Sequence, residues 1–425
     1  MTLRWIHGSR RNVAMLFAAL PGALAACGTS DAPSGGSGAG GTSSAATTSA
    51  GGTSSTATSS GGAGTMTSGA GGASSGAGGG GAAGSTAIDG GAGVVAAGVR
   101  WVGRVDTSDA AGPRFGWSGT GFVARFSGTS VGVNMKNDDA FFFQPVVDGK
   151  KGTRFQATKG TATRQVASGL ASGTHTLELY RETEASYGVS QLLGITEATL
   201  LDPPPSPGRL IELVGDSITA GYGNLGVEPH PNYTTPTPCH FTYDTQSAYL
   251  SYGAVTARAL GADASLIAAS GWGVYRSLGG DVNQVLPKVY GNTLGYTAPP
   301  SWDFAEKPNA VVIDLGTNDF GQGDPGAMYT SALGAFVDTV RAKYPNAWIF
   351  CALGTMLGSA EHDKAQTYIQ SVVTAHGGDG GKIALVDLGI QDGLKGTGCD
   401  WHPNTAEDQR MADLLAPAMR QKLGW

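Results

Sequence analysis

Four short segments of the chain carry residue types that together could perform acyl transfer. Ser217 lies in GDSITAGYG and Gly271 lies in ASGWG, whereas Asn318 lies in GTND and His402 lies in CDWHPN. Acyl transfer needs a nucleophile, a base that takes its proton, and N–H donors for the developing oxyanion. Ser217 alone could equally be a helix N-cap. Its role therefore depends on whether the fold brings the four segments together.

An alternation of apolar runs, loops and amphipathic patterns after residue 209 predicts the framework for these segments. Strands are predicted at 210–214, 265–269, 310–315, 347–352 and 383–386, and helices at 247–260, 328–343, 360–375 and 405–423. Such an alternation favours a parallel sheet covered by helices, so we predict an α/β domain of three-layer α/β/α type over residues 207–425. Ligand sites in open sheets of this kind lie beyond the carboxyl ends of the strands, where all four segments are expected.

The preceding part of the chain has a different periodicity. Residues 95–203 alternate apolar and polar side chains, for example at Phe122, Ala124 and Phe126, with Gly, Ser, Asp and Asn clusters between the runs. This pattern predicts short antiparallel strands and a β-sandwich of jelly-roll type. Four prolines between residues 203 and 207 predict a stiff boundary between the two domains.

The four ordered segments resemble those of the SGNH (GDSL-type) hydrolases, whose blocks contribute Ser, Gly, Asn and His in that order, over residues 209–425. Together with the preceding β-sandwich, GDSITAGYG, GTND and DWHPN resemble carbohydrate esterase family 2. The resemblance implies a flavodoxin-like catalytic domain, no cofactor, and removal of acetyl groups from plant polysaccharides or oligosaccharides such as xylan and glucomannan. A lipase or thioesterase and a non-catalytic carbohydrate-binding lipoprotein are the alternatives.

The resemblance also assigns roles to single residues. Ser217 would attack the acetyl carbonyl, and His402 would take its proton and later transfer it to the sugar hydroxyl. The oxyanion would be held by the N–H groups of Ser217 and Gly271 and by the side-chain amide of Asn318. Gly271 could instead be an ordinary turn glycine, and Asn318 could cap a turn.

Asp400 departs from the family pattern, which usually has its aspartate three residues before the histidine. Here the aspartate is two residues before His402. Residues i and i+2 share a face in extended backbone, so a hydrogen bond from His402 to the Asp400 carboxylate is expected, which would complete a triad. The alternative is that a main-chain carbonyl orients the imidazole and that Ser217 and His402 act as a dyad.

Three aromatic residues flank the segments and are candidates for substrate binding. Trp272, Trp401 and Tyr222 offer flat faces on which sugar rings stack, although plain packing is the commoner role of aromatic side chains.

The cysteines suggest one disulfide. Cys239 and Cys399 both lie in loops, where a bond between them would brace the loop that carries His402, while Cys351 continues an apolar strand and is expected to be a buried thiol. Connectivity does not follow from the sequence alone. No His or Cys pair has the spacing of a zinc site, so no metal is expected.

The N-terminal region predicts export. Three arginines precede an apolar stretch at 13–26 that ends in LAAC, an order typical of a secretory signal over 1–26. It resembles a bacterial lipoprotein signal, whose terminal cysteine, here Cys27, is diacylated after cleavage. The alternative is an ordinary signal with an incidental cysteine. Gly28 after this cysteine favours an outer-membrane or cell-surface location at the cell envelope.

Residues 27–94 consist almost entirely of Gly, Ser, Ala and Thr and predict a disordered tether with a reach of roughly 45 Å.

Removing residues 1–26 removes three arginines and no acid, which changes the net charge from −6 to −9. This charge argues against nucleic acid or an anionic lipid surface as a partner. We expect a monomer whose attachment to the membrane is through its lipid anchor alone.

Overall fold

The computed structural model describes residues 95–96, 98–227, 238–297, 299–393 and 396–425. The predicted signal peptide, the lipidation site Cys27 and the tether lie outside the described residues. Within them, no helix combines the length and the apolar character needed to cross a membrane.

The first domain is built from antiparallel strands, as predicted. Its ten strands are β1 (Val95–Ala96), β2 (Val99–Val102), β3 (Arg114–Phe115), β4 (Gly121–Asn137), β5 (Phe142–Val147), β6 (Lys150–Lys151), β7 (Phe155–Gln156), β8 (Gly160–Arg181), β9 (Ser190–Thr196) and β10 (Thr199–Leu201). The long strands β4 and β8 pair along most of their length, and their register shifts near Gly128 and Val131, where bulges bend a strand pair. The alternating residues Phe122, Ala124 and Phe126 all enter the core, which confirms the period-two interpretation.

The second domain contains a five-stranded parallel sheet. Its strands are β11 (Leu210–Gly215), β12 (Asp263–Ala268), β13 (Ala310–Asp314), β14 (Trp348–Leu353) and β15 (Ile383–Asp387), and its helices are α1 (Ser217–Ala220), α2 (Tyr252–Ala259), α3 (Thr317–Phe320), α4 (Gly326–Lys343), α5 (Ser359–Ala375) and α6 (Thr405–Leu423). All five predicted strands are present. The helix predicted at 247–260 is shorter, because residues 248–250 form a separate 3₁₀ turn and Ser251 is extended before α2 begins.

Helices cover both faces of this sheet. Leu213 of β11 packs into a cluster with Met411 of α6, whereas the next residue, Val214, packs into a second cluster with Phe336 of α4 and Val372 of α5. Neighbouring side chains of a strand point to opposite faces, so each face receives its own helical layer. The predicted three-layer α/β/α architecture is confirmed.

The order of the strands places the candidate residues together. The sheet runs β12-β11-β13-β14-β15, so the direction of strand addition reverses at β11. Gly215, the last residue of β11, lies between Ala268 of β12 and Asp314 of β13. The segments that follow these three strands carry Ser217, Gly271 and Asn318, and they emerge at the switch point where such sheets bind ligands.

Buried polar contacts join the two domains. Arg104 of the first domain donates to the carboxylate of Glu212 on β11 (3.1 Å), and both side chains are almost fully buried. Tyr290 and Tyr344 donate to the same carboxylate (2.6 and 3.2 Å). Removal of one partner of such a buried pair leaves an unpaired charge, which costs about 3–5 kcal/mol, so the interface has a strong preference for one arrangement.

Candidate active site

The hydroxyl of Ser217 is not used as a helix cap. The N-cap of α1 is Asp216, whose carboxylate accepts a hydrogen bond from the N–H of Ile218 (3.0 Å). The Oγ of Ser217 lies instead 2.8 Å from Nε2 of His402. Gly221 ends α1 with φ 73°, and a Cβ there would lie 2.2 Å from the carbonyl oxygen of Ser247, so only glycine fits. The local sequence therefore presents the serine at the tip of a very short helix.

His402 reaches the serine through a loop that crosses back over the sheet. This loop starts at the far edge strand β15 and is tied to the loop after α1 by two main-chain hydrogen bonds, from Cys399 to Gly223 (2.9 Å) and from Thr405 to Asn224 (3.1 Å). Cys399 is also disulfide-bonded to Cys239. The position of the imidazole therefore depends on three separate attachments.

The prediction that His402 forms a hydrogen bond to the Asp400 carboxylate is wrong. Nδ1 of His402 donates to the main-chain carbonyl of Asp400 (3.0 Å). The expectation assumed extended backbone, but Asp400 and Trp401 have φ values of 50° and 63°, within a tight 3₁₀ turn. Left-handed conformation at two successive non-glycine residues is costly, and it turns the carbonyl rather than the side chain toward the imidazole. The geometry matches the dyad alternative.

The Asp400 carboxylate instead organises a neighbouring loop. Its Oδ2 accepts from the N–H of Phe241 (2.8 Å) and the hydroxyl of Tyr222 (3.0 Å), and its Oδ1 lies 2.9 Å from Nδ1 of His240. The N–H of Asp400 donates to the carbonyl of Cys239 (2.9 Å). These bonds hold residues 239–241 against the loop of His402 and account for the tolerated backbone conformation.

Burial keeps the imidazole neutral. His402 is 8% exposed, and desolvation lowers its pKa from 6.5 to about 4, although the Asp400 carbonyl and the nearby Asp400 charge both favour protonation. A neutral imidazole that donates through Nδ1 has a free lone pair on Nε2. It can therefore accept the proton of the Ser217 hydroxyl, as a general base must.

Two main-chain N–H groups are available near the serine. Neither the N–H of Ser217 nor that of Gly271 has an acceptor in the part of the chain that the structure describes. Gly271 has φ 79°, and a Cβ added to it would meet no atom within 4 Å, so open space borders its Cα. Asp319, in the block of Asn318, accepts from the N–H groups of the three residues 274–276 and thereby fixes the following turn.

The side-chain amide of Asn318 joins the two segments that carry these N–H groups. Its Nδ2 lies 3.0 Å from the carboxylate of Asp216 and 3.1 Å from the carbonyl of Trp272. Asp216 precedes Ser217 and Trp272 follows Gly271, so Asn318 sets the spacing between the two donors. Both of its N–H groups have protein acceptors, and an oxyanion would have to share one of them.

The predicted aromatic residues have different surroundings. The ring centre of Tyr222 lies 4.3 Å from that of the His402 imidazole. Phe241 stacks on Tyr222, with ring centres 4.2 Å apart. Trp272 packs on Tyr296 (4.8 Å), while Trp401 is 41% exposed. Phe241 was not predicted, because only the contact of its loop with Asp400 brings it to the site.

Among the described residues, no group of three or more His, Cys, Asp or Glu could hold a metal ion.

Two parts of the chain match known families. Residues 101–205 match the family described as Carbohydrate esterase 2 N-terminal, and residues 213–417 match the GDSL-like Lipase/Acylhydrolase family. The first match covers most of the antiparallel domain. The second contains all four segments with Ser217, Gly271, Asn318 and His402.

Individual relatives span both domains. The cellulase/esterase CelE of Acetivibrio thermocellus is 38% identical over 333 residues, which are 77% of this chain but only 40% of the relative's length. An acetylxylan esterase / glucomannan deacetylase of Cellvibrio japonicus is 28% identical over 73% of this chain and 86% of the relative. The structure of a family two carbohydrate esterase from Clostridium thermocellum in complex with cellohexaose is 39% identical, covers 77% of this chain and 99% of that chain, and has a TM-score of 0.72.

The lowered pKa of His402 predicts that esterase activity persists to lower pH than it would with an ordinary histidine. Because only the neutral imidazole can accept the serine proton, kcat/KM for a small acetyl ester should fall with a midpoint near the His402 pKa of about 4 rather than near 6.5. Acetate release measured from pH 3.5 to 8, with circular dichroism at each pH to confirm folding, checks this. A midpoint near 6.5 in folded protein would contradict it.

The carbonyl contact predicts that the Asp400 charge is dispensable. In Asp400→Asn, the amide oxygen can accept from Phe241 and Tyr222 as Oδ2 does, and the NH₂ group can donate to Nδ1 of His240. We expect turnover of an acetyl ester within about fivefold of the parent, whereas a carboxylate of a triad would be worth orders of magnitude. A loss of about a hundredfold with unchanged thermal unfolding would restore Asp400 as a third catalytic member.

Proposed function

The chain belongs to the family two carbohydrate esterases, and we propose that it is a serine esterase that removes O-acetyl groups from plant polysaccharides or oligosaccharides. The observation that carries this proposal is the 2.8 Å contact between Oγ of Ser217 and Nε2 of His402, beside two N–H groups without acceptors among the described residues. The names of the relatives, which include an acetylxylan esterase / glucomannan deacetylase, support xylan and glucomannan as substrates.

The proposed reaction has two acyl-transfer steps. The Ser217 hydroxyl transfers its proton to Nε2 of His402 as Oγ attacks the acetyl carbonyl, and the imidazolium is stabilised by the Asp400 carbonyl at Nδ1. The N–H groups of Ser217 and Gly271 hold the oxyanion, with Asn318 setting their spacing. The C–O bond to the sugar then breaks, and the leaving oxygen takes the proton from Nε2. Water, activated by the same nitrogen, hydrolyses the acyl-enzyme and releases acetate.

The aromatic surroundings support a carbohydrate rather than a long acyl chain. The Tyr222 ring lies against the imidazole of His402, Trp401 directly precedes His402 in the chain, and Trp272 follows Gly271. Such side chains present both an apolar face and a polar edge, which suits sugar rings. We propose these three residues as substrate contacts.

Substitution of the nucleophile tests the reaction. Ser217→Ala should leave the fold intact, because Asp216 caps α1, and should lower acetate release by about a thousandfold or more. The rates of acetate release from acetylated xylan and acetylated glucomannan should exceed the rate of fatty acid release from a triglyceride. Retained activity in Ser217→Ala removes this serine from the mechanism, and a preference for the triglyceride would indicate the lipase alternative.

We also propose that the protein is an exported monomer anchored at the cell envelope through a diacylated Cys27. The arginines before the apolar stretch and the LAAC order that ends in Cys27 support this. Cys27→Ser should move the full-length protein, expressed in a bacterial host, from the membrane to the soluble fraction, because the lipid would be its hydrophobic attachment. Equal fractionation of parent and variant would contradict lipidation.

A further inference from the structure

A turn of the first domain enters the active-site region of the second. It comprises residues 182–188 between β8 and β9, and its Glu184 is 2% exposed. Oε2 of Glu184 accepts from the N–H of Ser270 (2.9 Å) and from the hydroxyl of Tyr296 (3.2 Å), and Oε1 accepts from the Ser270 hydroxyl. All three donors belong to the second domain, so this carboxylate is a polar bridge between domains.

The residue held by Glu184 directly precedes Gly271. The direction of the Gly271 N–H depends on the orientation of the Ser270–Gly271 peptide plane, which glycine itself leaves free because it lacks a Cβ. Glu184 fixes both the main chain and the side chain of Ser270. Its contacts therefore restrict the donor that the proposed oxyanion would use.

The same turn has a second connection to the nucleophile. The N–H of Glu184 donates to Oε1 of Gln246 (3.3 Å), and Nε2 of Gln246 donates to the carbonyl of Ala220 (3.0 Å). Ala220 is the last residue of α1, which begins at Ser217. One residue of the first domain is thus linked to both segments that supply N–H donors.

Stability alone does not explain a carboxylate at this position. Burial raises the pKa of Glu184, and no cationic side chain is among the groups that act on it in the described part of the chain. A folded-state pKa above the unfolded value means that the contribution to stability is greatest below the unfolded pKa and falls as pH rises. Glu184 therefore contributes less to stability at neutral pH than at acidic pH.

We propose that Glu184 is a positioning residue through which the first domain orients the oxyanion donor of the second. The proposal rests on the proposed acyl-transfer function of the same site. Glu184 does not touch the reacting atoms; it acts through Ser270 on the Gly271 N–H. The antiparallel domain is accordingly part of the catalytic structure.

The test compares Glu184→Met with a matched variant of the same turn, Glu182→Met. Glu182 is also fully buried, and burial raises its pKa to about 7. Its carboxylate interacts with the charge of Arg154 and with residues 247–249, but it has no described hydrogen bond to Ser270. Both variants remove one buried acid of equal size. We expect Glu184→Met to lower kcat for a small acetyl ester by about tenfold or more with KM within about twofold, because a misdirected oxyanion donor affects the transition state more than substrate binding. Glu182→Met should keep kcat within about twofold of the parent.

Glu184→Gln provides the rescue. Its amide oxygen can accept from the Ser270 N–H and Tyr296, and its NH₂ group can donate to the Ser270 hydroxyl, so kcat should return to within about threefold of the parent. Equal kcat values for Glu184→Met and Glu182→Met, or no rescue by glutamine, would overturn the proposal. If Glu184→Met fails to fold, Ser270→Ala tests the proposal instead. This variant removes the hydrogen bond from the Ser270 hydroxyl to Glu184 and leaves the Glu184 side chain in place. Its kcat should fall by about threefold or more at unchanged KM, and an unchanged kcat overturns the proposal.

The parent and Ser217→Ala are assayed first on the same ester. A parent rate that exceeds the Ser217→Ala rate supports the proposed function independently of Glu184. Equal rates in these two proteins would overturn the proposed function and the positioning role together. A parent rate that depends on Ser217, combined with unaffected Glu184→Met, would overturn the positioning role alone.

Discussion

The contact between Ser217 and His402 is the constraint on which the arrangement of the second domain depends. It joins residues 185 positions apart, and the serine follows the interior strand β11 whereas the histidine follows the edge strand β15. The chain after β15 must therefore return across the sheet before α6 can begin. The disulfide between Cys239 and Cys399 and the hydrogen bonds to the loop after α1 hold that return path. Asn404 then caps α6 by accepting from the N–H groups of Ala406 and Glu407, so the histidine loop ends and the final helix begins at one fixed point.

Holding a serine at the switch point places several carboxyl groups in a dry environment. Burial and the neighbouring Asp314 raise the pKa of Asp216 well above its usual value, and burial raises the pKa of Asp314 to about 7. These groups are stabilised by hydrogen bonds rather than by ion pairs: Asp216 caps α1 and binds the amide of Asn318. Both raised pKa values mean that these acids contribute less to stability as pH rises, but Asp216 accepts the Ile218 N–H and the Asn318 amide, which would otherwise be unsatisfied. The site thus has a local energetic cost that the packed layers on both sides of the sheet must offset.

Much of this organisation could be predicted from the sequence because it follows local patterns. The five parallel strands and the period-two alternation at Phe122 and Phe126 reflect side-chain burial, which each segment records in its own residues. The contact of Nδ1 of His402 with a carbonyl could not be predicted, because it depends on left-handed backbone at Asp400 and Trp401. That conformation is set by contacts with residues 239–241, far away in the chain. Glu184 left no sequence signal for the same reason, since its partners lie in another domain.

The interface shows why the two domains are better regarded as one functional structure than as an enzyme with an appended module. Arg104 and Trp117 of the first domain donate to groups of the second, and Glu184 accepts from it, all from buried positions. Separation would expose some of these groups to water but would also release Ser270 and Gln246 from the contacts that link them to Gly271 and α1. A flexible glycine turn is an imprecise donor unless something outside it limits its rotation. In this fold the second domain restrains the turn through Asn318 and main-chain hydrogen bonds, and Glu184 adds a restraint from the antiparallel domain, so the geometry around the serine is a property of both domains together.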